Sequence, residues 1–470
     1  MCTFVSFVVT NFALMKTIPA TILISFLVLS QVQAQYTVTG KINDDPLKTV
    51  YLLSYYGERN FIIDSARTDS SGSFRFSLAA STPPGMYKIG LGKDLFLDLI
   101  FNRENIAFTT GLRALADSLK ILSSVENSIY YTFMERDRED QSRLELLQPV
   151  LDFYPRHDAF YDQAGREYEQ IQRSAAQAVD SLSRSHPGSY AMRIIRLYST
   201  PFIPASLGRE ERMNYLKQHY FDRVDFTDTA LLRSPAYANK AISYLALYSN
   251  NRLQQKQLET EFIKGVTVVL SAAAVNAEVY KFLLDYLVGG FDKYHFDDVI
   301  TYMAENFSDP SSCEDSNKES TLQKKLETYK KIATGKPAPD LELPDPNGRP
   351  VKLSDLRSEY TLLVFYSSEC SHCVDMLPKV STVYDNQNPK RLEILAVSLD
   401  TDRKAWLDFI KQQKFSWINV CDLKGFDSPA ADAYNIYATP TMFLLDKNKT
   451  IIAKPISYRE LEQVLRENGL

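Results

Sequence analysis

The chain has 470 residues, 45% hydrophobic and 24% charged, with 53 basic and 58 acidic residues and a formal net charge of −5. That length exceeds one ordinary core and points to about two to four domains. The acidic balance gives no electrostatic footprint for nucleic acid, which is excluded as a partner.

The N-terminus carries an export signal. From Met15 the chain reads "MKTIPATILISFLVLSQVQAQ": Lys16, an apolar run ending near Leu29, then Val32-Gln33-Ala34. This is the pattern of a secretory signal peptide over residues 1–34, cleaved near Ala34. The apolar core, residues 17–30, falls short of the roughly 20 residues a membrane helix requires. An uncleaved anchor would export the chain equally. Because the charged segment begins at Met15, Met1 and Met15 compete as the start. The expected location is the periplasm or cell envelope. Of five cysteines, Cys2 leaves with the signal, and Cys313, Cys370, Cys373 and Cys421 remain. Four are too few for a disulfide scaffold, but a close pair in an oxidising compartment has a redox fate.

Residues 36–111 read as strands. "YTVTGKI", "TVYLLSY", "FIIDSAR", "GSFRFSL", "GMYKIGL", "LFLDLIF" and "NIAFTT" are short, rich in aromatic or β-branched residues, and separated by turn residues. Phe74, Phe76 and Leu78 alternate with polar neighbours, the period-2 mark of a strand with one wet face. A small antiparallel sandwich is expected, serving as a docking or scaffolding module.

Residues 112–307 turn helical. "LRALADSLKILSSV", "DQAGREYEQIQRSAAQAVDSLSRS", "EERMNYLKQHYFDRV" and "VNAEVYKFLLDYLVGG" repeat apolar residues at three- and four-residue steps. His157, His186, His219 and His295 are too scattered for a ligand set. Tyr215, Tyr237, Tyr244 and Tyr248 read as core and groove lining. The polar "SDPSSCEDSNKES", 308–320, is a linker holding Cys313, and a short helix over 322–332 completes a connecting segment to 334.

Residues 335–470 carry the chemistry. Pro346-Asn347-Gly348-Arg349 turns a hairpin between strands at 341–343 and 351–353. Residues 362–367 form an apolar run without alternation, as in a strand buried on both faces. A helix over 370–386 follows, so the couplet "CSHC" falls where strand hands over to helix. A helix N-terminus presents unpaired N–H groups and about half a positive charge, which stabilises a thiolate at Cys370. Protonated His372 adds positive charge, and Glu369 opposes it from outside the helix. Cys373 is placed to resolve a mixed disulfide on Cys370. Beyond lie a strand at 392–400, an amphipathic helix at 402–413, a short helix, Ala438-Thr439-Pro440, two strands around a turn at 446–449, and a last helix.

"APDLELPDPNGRPVKLSDL", "CSHCVDMLP" and "YATPTMFLLD" together resemble the TlpA/ResA-like exported thiol–disulfide oxidoreductases of thioredoxin fold. The upstream regions look like the uncharacterised N-terminal domains of exported Bacteroidota proteins. The resemblance implies a redox-active disulfide between Cys370 and Cys373, a poise tuned by His372, and a substrate backbone held by Thr439 and Pro440, the latter where relatives place a cis proline. It implies no cofactor and no metal. Partners are thiol- or disulfide-bearing client proteins and a membrane or periplasmic thiol–disulfide electron donor or acceptor. Pro378 matches the helix-kinking proline of thioredoxins. A His before the second Cys moves the couple toward the oxidising side of thioredoxin's potential of about −270 mV.

Three positions depart from the pattern. Glu369 replaces the aromatic residue before the first Cys, while Val364 and Met376 occupy places where relatives carry acids. Either Glu369, Asp375 or His372 supplies the proton acceptor for Cys373, or resolution is slow.

Other readings meet obstacles. Structural zinc wants four ligands, and no second couplet exists. A peroxiredoxin site has Pro seven and Thr or Ser three residues before its nucleophile; Ser367 fits and Leu363 does not. A redox-inactive binding or scaffold protein of the envelope is the alternative from another class. Cys421 reads as a buried free thiol, although a Cys313–Cys421 bond would lock linker to module. The expected class is thus multidomain α+β and α/β: a signal peptide (1–34), a small β-sandwich (36–111), an all-α middle domain (112–307), a linker with a short helix (308–334) and a C-terminal thioredoxin fold (335–470).

Overall fold

The computed structural model describes residues 35–43, 49–92, 95–115, 117–307, 321–387 and 389–470. The expected signal segment with Cys2, and residues 308–320 with Cys313, lie outside the described residues.

Among the described residues eight strands come first: β1 (Gln35–Ile42), β2 (Thr49–Tyr56), β3 (Arg59–Arg67), β4 (Ser73–Ala79), β5 (Gly85–Gly92), β6 (Leu95–Phe101), β7 (Ile106–Thr110) and β8 (Lys120–Ser123). They form two four-stranded sheets, β4-β1-β7-β8 and β3-β2-β5-β6. Val38, Phe74, Phe76, Ile89, Leu99 and Phe108 fill the core between them. The alternation read in β4 holds, with Phe74, Phe76 and Leu78 buried. Gly72, at φ 79°, makes the turn before β4, where a Cβ would meet the Ile42 carbonyl oxygen at 2.0 Å.

Two expectations are corrected. The sandwich is not wholly antiparallel, because β1 and β7 run parallel. The helix expected from Leu112 is a single 3₁₀ turn, Leu112–Ala114, followed by β8. Pairing with β7, which puts Ile121 opposite Phe108, outweighs the local helical spacing. Helix starts only at Ser124, whose hydroxyl accepts the Asn127 N–H at 3.0 Å.

The middle of the chain is helical: α1 (Val125–Phe153), α2 (Ala159–Ser185), α3 (Tyr190–Tyr198), α4 (Arg209–His219), α5 (Ala236–Ala246), α6 (Gln255–Ala273), α7 (Ala277–Lys293), α8 (Asp297–Asn306) and α9 (Thr321–Lys331). Tyr237 and Tyr244 are core residues, Tyr248 packs against that core, and the Tyr215 ring lies against His219 instead, tilted by 38°. This core also takes Tyr55, Met86 and Ile100 from the sandwich. The side chain of Asn127, fully buried, donates to the Ile100 carbonyl and accepts its N–H, both at 2.8 Å, as a neighbouring strand would. The short helix assigned to the linker is α9, and it belongs to the helical core through Leu322, Leu326 and Tyr329. Among the described residues no helix is long and apolar enough to cross a membrane.

The C-terminal part comprises β9 (Glu342–Pro344), β10 (Pro350–Lys352), β11 (Tyr360–Tyr366), α10 (Ser371–Asp385), β12 (Leu392–Ser398), α11 (Arg403–Gln413), β13 (Ile418–Val420), α12 (Pro429–Ala433), β14 (Thr441–Leu445), β15 (Ile451–Ala453) and α13 (Tyr458–Glu467). The hairpin of β9 and β10 stands apart from a five-stranded sheet ordered β13-β12-β11-β14-β15. In that sheet β11, β12 and β13 are parallel, β14 runs antiparallel to β11, and β15 runs antiparallel to β14. Central β11 is buried on both faces. Leu362, Val364 and Tyr366 meet α10, α11 and α13, while Leu363 and Phe365 meet α12. The result is a thioredoxin fold.

Candidate active site

The end of β11 and the start of α10 bring the couplet to the carboxyl edge of the sheet. Cys370 is the N-cap of α10, and its Sγ accepts the N–H of Cys373 at 3.3 Å. It also lies 3.2 Å from the carbonyl oxygen of Thr439. Burial opposes ionisation of the half-buried Cys370. Hydrogen bonds from Cys373 and Thr439 and the backbone amides of Cys373 and His372 outweigh it, and the thiol titrates below its ordinary value. The helix start therefore works through discrete N–H donors. His372 contributes its backbone amide, while its side chain is exposed.

Cys373 is the opposite case. It is fully buried, and burial, followed by its contact with Cys370, pushes its thiol up to about 12. One sulfur is poised to ionise at the surface and the other is held neutral beneath it. Both are free thiols.

Thr439 and Pro440 are joined by a cis peptide bond and sit beside the couplet. The structure thus brings Cys370, Cys373 and the Thr439–Pro440 segment together, and leaves the His372 ring outside the cluster. Glu369 and Asp375, the other two acceptors considered for Cys373, are exposed as well. Val364 and Met376 are buried. Cys421 is buried, donates to the Asp400 carbonyl at 3.4 Å, and is raised in pKa by that burial.

Asp400 was not singled out in the sequence. It follows β12, is 5% exposed, and holds the segment entering the couplet. Its carboxylate accepts the Ser367 hydroxyl at 2.9 Å, the Ser368 N–H at 2.9 Å, the Ser368 hydroxyl at 3.0 Å and the Ser398 hydroxyl at 2.7 Å. The available signal was an acid at the carboxyl end of the strand parallel to β11, where open α/β sheets gather their sites. Asp400→Asn, which turns two acceptors into one, is expected to cost about 2 kcal/mol in chemical denaturation. By loosening the Ser367–Ser368 segment that leads to Cys370, it should also change the rate of Cys370 alkylation at neutral pH. Unchanged values for both would remove Asp400 from the site.

Residues 334–454 match the AhpC/TSA family, and residues 36–130 and 163–299 match two domains of unknown function, DUF4369 and DUF5106. The chain is 30% identical over 137 residues to the thiol–disulfide oxidoreductase ResA of Geobacillus kaustophilus, covering 28% of this chain and 77% of the relative. It is 29% identical over 134 residues to ResA of Bacillus cereus, covering 28% and 76%. A solved domain of a possible thiol-disulfide isomerase from Cytophaga hutchinsonii is 36% identical, covering 29% of this chain and 94% of that one, with a TM-score of 0.27. By its C-terminal domain the chain belongs to the ResA-like thiol–disulfide oxidoreductases, enzymes whose substrates carry thiols.

Proposed function

We propose that this is an exported oxidoreductase that exchanges dithiol for disulfide with protein clients through Cys370 and Cys373. The observation that carries it is the asymmetry of the couplet, with Cys370 lowered in pKa at the helix N-cap and Cys373 buried and raised behind it. In the reducing direction the Cys370 thiolate attacks a client disulfide, forming a mixed disulfide and releasing one client thiolate. Cys373 then passes its proton to the first released client thiolate and attacks the Cys370 sulfur, closing a Cys370–Cys373 disulfide and releasing the second client thiolate. Two electrons pass to the client, and a membrane or periplasmic dithiol partner restores the pair. The oxidising direction reverses each step.

Thr439 and Pro440 are the proposed seat for the client backbone, supported by the closeness of the Thr439 carbonyl to the attacking sulfur. Residues 1–34, cleaved near Ala34, are the proposed export signal. His372 is assigned to tuning the poise through its place between the two cysteines in the sequence and its backbone amide at Cys370.

The test is alkylation. Iodoacetamide modification of Cys370 in the full chain, followed by peptide mapping across a pH series, should reach half its maximal rate clearly below the roughly 8.5 of a free cysteine. A midpoint at or above that value overturns the proposal.

A further inference from the structure

The segment that meets Cys370 is held from outside its own domain. Tyr437, two residues before Thr439, donates its hydroxyl to the Asp292 carbonyl oxygen at 2.9 Å. The same hydroxyl lies 3.5 Å from His295 Nδ1, and the two rings stack at 6.1 Å with an interplanar angle of 6°. Asp292 is in the last turn of α7, and its carboxylate is engaged by Tyr329 and Lys325 of α9. His295 is fixed in turn, at φ 57°, with its carbonyl accepting Gln255 Nε2 of α6 at 2.8 Å. A second tie lies beyond the segment: Lys454, just past β15, pairs with Asp297 at the start of α8 at 2.6 Å.

We propose that Tyr437 and His295 form an interdomain clasp through which the helical region positions the Thr439 segment against Cys370, so that the reactivity of the sulfur depends on helices upstream in the chain. The inference rests on reading Cys370 as the attacking sulfur. The Thr439 side chain is among the groups that favour the Cys370 thiolate and it also acts on Cys373, while the Thr439 carbonyl accepts from the Cys370 thiol. Two residues span at most about 6.6 Å even when extended, too short a lead for movement at Tyr437 to be absorbed before Thr439. The Lys454–Asp297 pair holds the far side through β15 and β14, so Thr439 is bracketed by contacts to one body. Tyr437 and His295 touch no reacting atom and are positioning residues.

The experiment compares full-length wild type with Tyr437→Phe and His295→Asn. The first removes one hydroxyl and keeps the ring; the second keeps a residue type that tolerates the left-handed backbone. Each should raise the Cys370 alkylation midpoint by roughly half a pH unit, about a threefold loss of thiolate at pH values well below the midpoint. Insulin reduction should fall in kcat/KM by a similar factor, with the thermal midpoint unmoved. The double variant should be no worse than the more affected single one, because both act through one contact. Alkylation profiles that overlay wild type in both variants overturn the clasp. If wild-type Cys370 itself titrates like free cysteine, the oxidoreductase proposal fails first and the clasp falls with it.

Discussion

Cys370→Ala is expected to return insulin reduction by dithiothreitol to the uncatalysed rate. The thiolate is the attacking form, and Cys370 is the sulfur that the start of α10 stabilises. Cys373 cannot substitute for it. It is fully buried, and with a pKa raised to about 12 it stays almost wholly protonated at pH 7. Cys421 is buried as well and also raised. The loss should therefore be at least a hundredfold, on the order of a missing catalytic nucleophile. The fold should survive, since an alanine at an N-cap costs about 1 kcal/mol. A variant that keeps more than a tenth of wild-type activity would mean that the couplet does not perform the exchange.

Cys373→Ser is expected to stall the reaction with clients covalently attached to Cys370. In the free enzyme, burial holds Cys373 neutral and its contact with the Cys370 sulfur reinforces it. Once Cys370 is bonded to a client it carries no charge, and that part of the opposition disappears. Formation of the mixed disulfide thus itself brings the second thiol closer to ionisation. Serine fits the cavity but cannot form the disulfide. Adducts on non-reducing gels should rise by about tenfold or more, and turnover should fall by about a hundredfold, in keeping with loss of a group that acts only after attack. Mass spectrometry should place each adduct on Cys370. An adduct pattern matching the Cys370→Ala/Cys373→Ser double variant would contradict the assigned roles.

Local signals in the C-terminal domain were strong enough to read. The unbroken apolar run of β11, the turn around Gly348 and the couplet at the head of α10 each depend on neighbours within a few residues, and each lies where it was expected. The seven strands before Thr110 were legible for the same reason. What stayed hidden depends on partners far along the chain. Nothing within residues 112–123 announces that β7 needs an edge partner, so leucine spacing reads as helix there. Asp400 lies 33 and 32 residues from Ser367 and Ser368, and Tyr437 meets Asp292 across 145 residues. Cys370 and Cys373 were visible as a pair, but which one is exposed and which buried became clear only once α10 lay against the sheet.

The amide of Asn127, inserted at the edge of β6 beside a core that mixes Tyr55, Met86 and Ile100 with helical residues, ties the fates of the first two regions. Removing either would bare greasy surface on the survivor, whereas the redox domain keeps two hydrophobic centres mostly its own.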